Sequence, residues 1–454
     1  MEQHYDLAVI GSGSGGREAA LLGARQGLRT AIIEMGNVGG TCYHRGSHAV
    51  RALQACARQF RDSWRSGRFG NKVDLLKETL TDWMTAQRMV TSSLVDNFEA
   101  ELQRLKIDLI HGHGEFQDHR TLQVIDENGL KSAVTADNII VATGSRPDYQ
   151  ERLRARMVNS DGLLRITALP ERLAIIGAGY IGCEFASIYR TLGAEVTLLE
   201  KANRILPGWE AEAAERVAET LRMRRVNVIL NREVALHEIE EGETGVRIGG
   251  QSREAVDADV VLIATGRRPN TEGLGLKALG IDDTSTLKVD PCMRLQNPGL
   301  YAVGDVTGLS LLDSTAFSQA NVAINSIMGR ESRYDPRLVP RCIHTEPAIA
   351  AVGWTEDEAT GSGIKFIIAS TSMRLVTDSE RSVIDPEPTF LKVIVEPRSR
   401  NLLGCMVVGD HAAVIANVAT IAIHLKTPID QFRDIPFAQP SAADALMTTL
   451  RKIG

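Results

Sequence analysis

The residues best suited to chemistry come in two matching sets. Gly11-Ser12-Gly13-Ser14-Gly15-Gly16 follows the apolar run Tyr5 to Ile10, and Gly177-Ala178-Gly179-Tyr180-Ile181-Gly182 follows Leu173-Ala174-Ile175-Ile176. In each set a carboxylate, Glu34 or Glu200, lies 18 positions beyond the third glycine. The chemistry this suits is recognition of a dinucleotide. The first glycine permits a tight turn, the second lets backbone approach a pyrophosphate, and the third allows close packing of helix on strand. The helix that follows offers free N–H groups and a partial positive charge to phosphate. The distal acid accepts hydrogen bonds from a ribose diol and repels a 2′-phosphate. One Gly-x-Gly-x-x-Gly alone is a weak signal, but two copies with the acid in register point to two nucleotide sites.

The elements that must position these residues repeat as well. Residues 5–34 and 172–200 each read as strand, glycine loop, Ala/Leu- or apolar-rich helix and second strand ending at the acid. The pattern predicts an α/β fold with two Rossmann-like dinucleotide-binding domains. A chain of 454 residues exceeds what one core usually serves and suggests about three domains. At 43% apolar and 24% charged the composition is that of a folded globular protein. A net charge of −6 offers no field for nucleic acid or an anionic membrane. No apolar run approaches the length of a bilayer span. Because Tyr5 to Ile10 already reads as the first strand, a signal peptide is not expected. Six cysteines scattered at 42, 56, 183, 292, 342 and 405 do not form a secreted disulfide framework, so a cytoplasmic location is expected. No Cys/His cluster has metal-ligand spacing; His111 and His113, beside Gly112 and Gly114, read as a turn, and no metal is expected.

From Gly39-Gly40-Thr41-Cys42 onward the chain resembles the FAD-dependent pyridine nucleotide–disulfide oxidoreductases, whose members include dihydrolipoamide dehydrogenase, glutathione reductase, mercuric reductase and soluble transhydrogenase. Ile140-Val141-Ala142-Thr143-Gly144-Ser145-Arg146-Pro147 is similar to that family's crossing from FAD to NAD domain, and Leu262-Ile263-Ala264-Thr265-Gly266-Arg267-Arg268-Pro269-Asn270 to its return. Tyr301-Ala302-Val303-Gly304-Asp305 resembles the second FAD motif, Asp313 to Gln319 the segment along the flavin, and Ala348 to Glu356 the start of the dimerisation domain.

The resemblance implies an FAD domain over 1–150 and 276–337, an NAD domain over 151–275, and a C-terminal α+β dimerisation domain over 338–454. It also implies a homodimer, with residues 390–403 and 413–425 suited either to the interface or to plain core. FAD would be held by Gly11, Gly13, Gly16, Glu34, Gly40, Thr41, Arg51, Gly114, Thr143, Gly144, Ser145, Gly304, Asp305 and Asp313. NAD would be held by Gly177, Gly179, Tyr180, Ile181, Gly182, Glu200, Val234 and Gly266.

The chain then departs from the family. Most members carry two cysteines five positions apart beside the flavin; here the segment is Cys42-Tyr43-His44-Arg45-Gly46-Ser47, and a serine cannot close a disulfide. The family's Val-Pro-Ser-Lys becomes His48-Ala49-Val50-Arg51, so the lysine that pairs with a glutamate, matched by Glu184, is an arginine with a different donor geometry. The C-terminal His-Pro-Thr-x-x-Glu becomes Gln439-Pro440-Ser441-Ala442-Ala443-Asp444, which removes the acid–base residue and leaves Asp444 with nothing obvious to orient. The chain thus reads as a member lacking the second redox cysteine and the His-Glu pair, with Cys42, Ser47, Arg51 and Glu184 as candidate catalytic residues.

Three functions fit. The first is an NADH-preferring oxidoreductase that passes electrons from reduced flavin directly to a quinone, dye, metal ion or protein. Glu200 favours NADH, against which Lys201 and Arg204 could attract a 2′-phosphate. The second is a soluble transhydrogenase, whose Cys-x-His-x-Gly-Thr pattern resembles residues 42–47 and which Glu200 opposes. The third is a catalytically degenerate or partner-dependent flavoprotein subunit. A single-thiol enzyme using Cys42 is a further alternative to a plain buried thiol. His44 and His48 read as possible proton donors near the flavin or as structural histidines.

Overall fold

Tyr5, Leu7, Ala8, Val9 and Ile10 are all buried, as a central parallel strand covered on both faces requires. The computed structural model describes residues 3–66, 80–148, 153–249, 254–282, 286–374, 388–438 and 441–454. They divide into two units. The first comprises the described residues within Met1–Leu53, Thr81–Asp148 and Gly266–Pro336, and the second those within Gln54–Leu80, Tyr149–Thr265 and Arg337–Gly454.

In the first unit the strand Gln3–Ile10 lies between Thr30–Glu34 and Lys131–Val141, parallel to both. Asp108–His111 extends the parallel sheet on one side and Leu300–Ala302 pairs with Lys131–Val141 on the other. Thr121–Ile125 and His113–Phe116 add antiparallel strands. The helices Ser14–Arg25 and Asp313–Ile327 pack beside one another over this sheet, burying Ala19, Ala20, Ala320 and Ala323 in one core with Leu7, Val9 and Ile32. Small residues allow that close approach.

The second unit repeats the glycine-loop arrangement. Arg172–Ile176 is parallel to Glu195–Leu199 and to Val260–Ile263, with the helix Tyr180–Leu192 between the first two in sequence. A separate antiparallel sheet runs Arg341–Ile343, Ile349–Gly353, Leu402–Val408, Pro388–Val395, Ile367–Arg374 in spatial order. Its core includes Leu391, Val393, Val395 and Val407 with Ile415 and Ala419 of the helix Ala412–His424. Of the two segments with interface potential, the first therefore supplies core: Phe390 through Val395 is largely buried. The second leaves Val414, Ile421 and Leu425 exposed. Among the described residues no helix is long and apolar enough to cross a membrane.

Candidate active site

The two glycine loops have nearly the same geometry. Gly11 has φ +100° and Gly177 φ +101°, left-handed backbone where a side chain would be strained. A Cβ on Gly16 would stand 1.9 Å from the Gly11 carbonyl oxygen, and a Cβ on Gly182 would stand 1.9 Å from that of Gly177. These two positions are closed by backbone. Gly13 and Gly179 differ: a Cβ there meets nothing within 4 Å, so both face open space at a helix N-terminus. Open space at a helix N-terminus is what a pyrophosphate needs.

The acids hold the loops. Glu34 Oε2 accepts from the Ser12 N–H at 2.8 Å and the Ser12 hydroxyl at 2.7 Å, while Oε1 accepts from the Gly36 N–H at 2.7 Å. Glu200 does the same through the Ala178 N–H at 2.6 Å and the Ala202 N–H at 2.8 Å. Tyr180 and Ile181 open the following helix and are half-buried, as is Val234. Gly39 donates its N–H to the buried Ser12 hydroxyl at 3.0 Å, and a Cβ on Gly40 would stand 2.8 Å from the Gly13 Cα. The segment carrying Gly40, Thr41 and Cys42 is thereby pinned to the first glycine loop.

The crossing and return segments are paired. Ser145–Pro147 runs antiparallel to Arg267–Pro269, with Thr143 Oγ1 donating to the Asn270 carbonyl at 2.6 Å and Gly144 accepting from the Asn270 N–H at 2.9 Å. Ser145 Oγ donates to Asp305 Oδ2 at 2.5 Å and accepts from Arg267 Nε at 2.8 Å. Burial raises the Asp305 carboxyl above its ordinary range; the Ser145 hydrogen bond and Arg267 oppose this, and Asp313 adds to it. Asp305 follows Gly304, whose N–H donates to Gln319 Oε1 at 2.7 Å. Gly114 lies on the strand His113–Phe116, where a Cβ would make ordinary contact with Ile33 at 3.4 Å and Ile10 at 3.7 Å. The neighbouring histidines lie on two strands joined at Gly112, and His113 Nε2 lies 2.6 Å from the Gly273 carbonyl.

Around Cys42 the structure gathers more than the sequence indicated. Cys42 lies in the short helix Gly40–His44, Ser47 and His48 open the helix Ser47–Ser66, and Asp313 opens Asp313–Ile327. Cys42 Sγ is 3.0 Å from Ser47 Oγ, 2.9 Å from His48 Nδ1 and 2.9 Å from Asp313 Oδ2. Ser47 also donates to Asp313 Oδ2, and Ser14 Oγ donates to Asp313 Oδ1 at 2.9 Å. Burial pushes the Cys42 thiol up to about 12; the Asp313 charge and hydrogen bond add to this, while Ser14 and Ser47 oppose it. His48 is held below the usual imidazole range by desolvation; Asp313 opposes this, and Arg17 and Arg51 reinforce it. The ligand atoms of Cys42, His48 and Asp313 lie within 4.8 Å of one another. Residues far apart in sequence thus bring a thiol, an imidazole and a carboxylate together, a grouping that no local spacing of Cys and His could reveal. His44 takes a structural place, its Nε2 lying 2.9 Å from the Val38 carbonyl.

Arg51 is exposed and belongs to the first unit, whereas Glu184 belongs to the second, where its Oε1 accepts from the His344 N–H at 2.7 Å. Asp444 does orient something: its Oδ2 accepts from the Ser441 N–H at 2.9 Å, reaching back from the helix Ala443–Leu450. Gln439 and Pro440 lie outside the described residues.

Residues 5–326 match the family profile described as pyridine nucleotide-disulphide oxidoreductase, and residues 339–450 match that of its dimerisation domain. The chain belongs to this oxidoreductase family. Like other pyridine nucleotide-disulphide oxidoreductases it is an enzyme dependent on FAD and a nicotinamide dinucleotide, and it carries the dimerisation domain. It is 31% identical over 448 residues to the dihydrolipoyl dehydrogenase of Chlamydia pneumoniae, which spans 98% of this chain and 96% of that one. The Staphylococcus aureus dihydrolipoyl dehydrogenase is 30% identical over 457 residues, with the same coverage. Two solved structures cover the whole chain and are wholly covered by it: LpdA from Mycobacterium tuberculosis, with TM-score 0.91 and 24% identity, and the Cu(II) complex of the HOCl-induced flavoprotein disulfide reductase RclA from Escherichia coli, with TM-score 0.86 and 25% identity. The first of these likenesses concerns the fold alone. The open cradles at Gly13 and Gly179 fit the two dinucleotides the family uses.

Proposed function

We propose that this oxidoreductase takes electrons from NADH and delivers them directly from flavin to an acceptor such as a quinone, dye or metal ion, without a redox disulfide. The observation that carries the reading is the pair Cys42 and Ser47. The Cys42 thiol faces a hydroxyl at 3.0 Å, and no two of the six cysteines form a disulfide. With its pKa pushed up to about 12, the Cys42 thiol stays protonated at neutral pH and is a poor nucleophile. Metal ions belong among the acceptors because the similar RclA is known as a Cu(II) complex.

Bound FAD would supply hydride acceptance from the nicotinamide and onward delivery of electrons to the acceptor. The chain's own residues bind and orient. We assign Gly11, Gly13, Gly16, Glu34, Gly40, Thr41, Gly114, Thr143, Gly144, Ser145, Gly304, Asp305 and Asp313 to FAD, and Gly177, Gly179, Tyr180, Ile181, Gly182, Glu200, Val234 and Gly266 to NAD. Asp305, whose carboxyl is raised by burial and already accepts from Ser145, is suited to a ribityl hydroxyl. Arg51 and Glu184 are our candidates for tuning the flavin. Glu200, buried just beyond the end of its strand, disfavours a 2′-phosphate. The division into an FAD domain over 1–150 and 276–337, an NAD domain over 151–275 and a dimerisation domain from 338 belongs to the same proposal. So does a homodimer, supported by the exposed Val414, Ile421 and Leu425.

Anaerobic stopped-flow reduction by NADH, and separately by NADPH, tests the reading. Rapid bleaching of the flavin band by NADH alone, with no thiolate-to-flavin charge-transfer band, is expected. Equal bleaching by both would favour a transhydrogenase. Bleaching by neither would favour a partner-dependent subunit, and efficient turnover with dihydrolipoamide would overturn the disulfide-free reading.

A further inference from the structure

Cys42, His48 and Asp313 form the only trio of Cys, His, Asp or Glu groups among the described residues whose ligand atoms converge closely enough to hold an ion. The donors are one thiol, one imidazole and one carboxylate, a mixture that suits a borderline ion such as Zn²⁺. Two anionic donors and one neutral donor would match a divalent charge. A tetrahedral zinc with bonds of about 2.0–2.3 Å needs donor atoms roughly 3.5 Å apart. The Cys42–His48 and Cys42–Asp313 separations are 2.9 Å, hydrogen-bond distances that need to open by only about half an ångström.

The surroundings already orient these donors. Asp313 Oδ1 accepts from Ser14, which leaves Oδ2 turned to Cys42. The His48 ring meets the Tyr43 ring edge-on, with centroids 5.2 Å apart, and Tyr43 Oη accepts from Arg17 Nη1 at 2.7 Å. Arg17 itself lies over the Tyr43, Phe98 and Phe317 rings at 5.5–5.9 Å. Such outer contacts fix ring and carboxylate orientation in metal sites. His48 is exposed, which gives an ion a way in, and Ser47 Oγ or a water can complete a fourth position.

We propose that Cys42 Sγ, His48 Nδ1 and Asp313 Oδ2 bind one divalent ion of the zinc class per chain. On binding, the Cys42 S–H proton leaves to solvent and a sulfur–metal bond forms; no electron moves. A redox-inert ion of this kind is not an electron acceptor, although the site shares Asp313 with the residues assigned to FAD.

The test is titration of the FAD-loaded enzyme with Cd²⁺, followed by the ultraviolet thiolate-to-cadmium charge-transfer band, with Zn²⁺ as competitor. One Cd²⁺ per chain is expected, with release of about one proton near pH 7. The band should vanish in Cys42→Ser. Affinity should fall at least about tenfold in His48→Gln and in Asp313→Asn. His48→Cys keeps a ligand at that place, so it should retain tight binding and strengthen the band, an outcome that mere disturbance of the fold would not give. Unchanged affinity in both His48→Gln and Asp313→Asn, or a band that survives Cys42→Ser, would overturn the site.

Discussion

Glu34 and Glu200 do the same job in the two halves of the protein. Glu34 ends a parallel strand and Glu200 directly follows one, and each accepts from the backbone N–H of the second residue of its glycine loop, Ser12 at 2.8 Å and Ala178 at 2.6 Å. Each also accepts from the N–H two positions further along its own chain, Gly36 at 2.7 Å and Ala202 at 2.8 Å. The acid that would read a ribose is thus also the acid that shapes the loop meant for the pyrophosphate.

For Glu200→Gln, the charge and one of two carboxylate acceptors are lost while side-chain volume is kept. NADH kcat/KM is expected to fall about tenfold, equivalent to roughly 1.4 kcal/mol, with a smaller loss for NADPH. Steady-state kinetics with both coenzymes measures this; an equal loss for the two would argue against a role in discrimination.

Gly13 and Gly16 separate binding from folding. A Cβ at Gly16 would stand 1.9 Å from the Gly11 oxygen, so Gly16→Ala is expected to cost at least about 3 kcal/mol or to prevent folding. A Cβ at Gly13 meets nothing within 4 Å, and Gly13 has φ −64°, which alanine adopts freely. Gly13→Ala should therefore leave apoprotein stability within about 0.5 kcal/mol while lowering bound FAD. Denaturant melts of the flavin-free protein and the flavin-to-protein absorbance ratio check both halves.

Cys42 is expected to resist alkylation. A thiol pushed up to about 12 carries about a thousandfold less thiolate at pH 8 than an ordinary one, so iodoacetamide should react correspondingly slowly. The sign for stability follows from the same shift. The folded chain holds this proton more tightly than the unfolded chain, so the contribution is complete below the ordinary thiol range and is lost as pH rises towards about 12. Metal-free Cys42→Ser should keep NADH-to-dye turnover within about threefold, whereas a mechanism through the thiol would lose it.

Lys392 ties together two parts of the second unit. Its ammonium is buried, with Glu210 Oε1 at 2.6 Å and Glu356 as a second partner. Burial alone would lower its pKa, but the two carboxylates outweigh that and hold it above the ordinary range. Glu210 is itself raised, chiefly by burial, with Lys392 opposing. Lys392→Met would leave Glu210 buried without its cation, and a loss of about 3 kcal/mol in urea unfolding is expected. In the unaltered protein this contribution is complete below the ordinary ammonium range and fades as pH climbs above it.

Much of the geometry of the two glycine loops was legible because it is local. A glycine that must turn, a glycine that must lie open and an acid at a strand end all act within about one βαβ unit, so their order along the chain carries the geometry. Gly11, Gly13, Gly16 and Glu34 could be named from spacing, as could Gly177, Gly179, Gly182 and Glu200. The replacement of a second thiol by Ser47 was equally plain. The role of residues 390–403 was not, because an apolar strand reads alike whether it faces a partner or its own core.

By itself, then, the sequence determined that this protein has two dinucleotide folds and a lone thiol beside the first, since those features depend on neighbours in the chain. Only the tertiary structure decided what surrounds that thiol. Asp313 reaches Cys42 from a helix 271 positions away, and Glu210 reaches Lys392 across 182 positions. Such contacts are set by how helices and strands pack after the chain has folded, and a carboxylate brought to a buried sulfur leaves no periodicity or spacing by which it could be found beforehand.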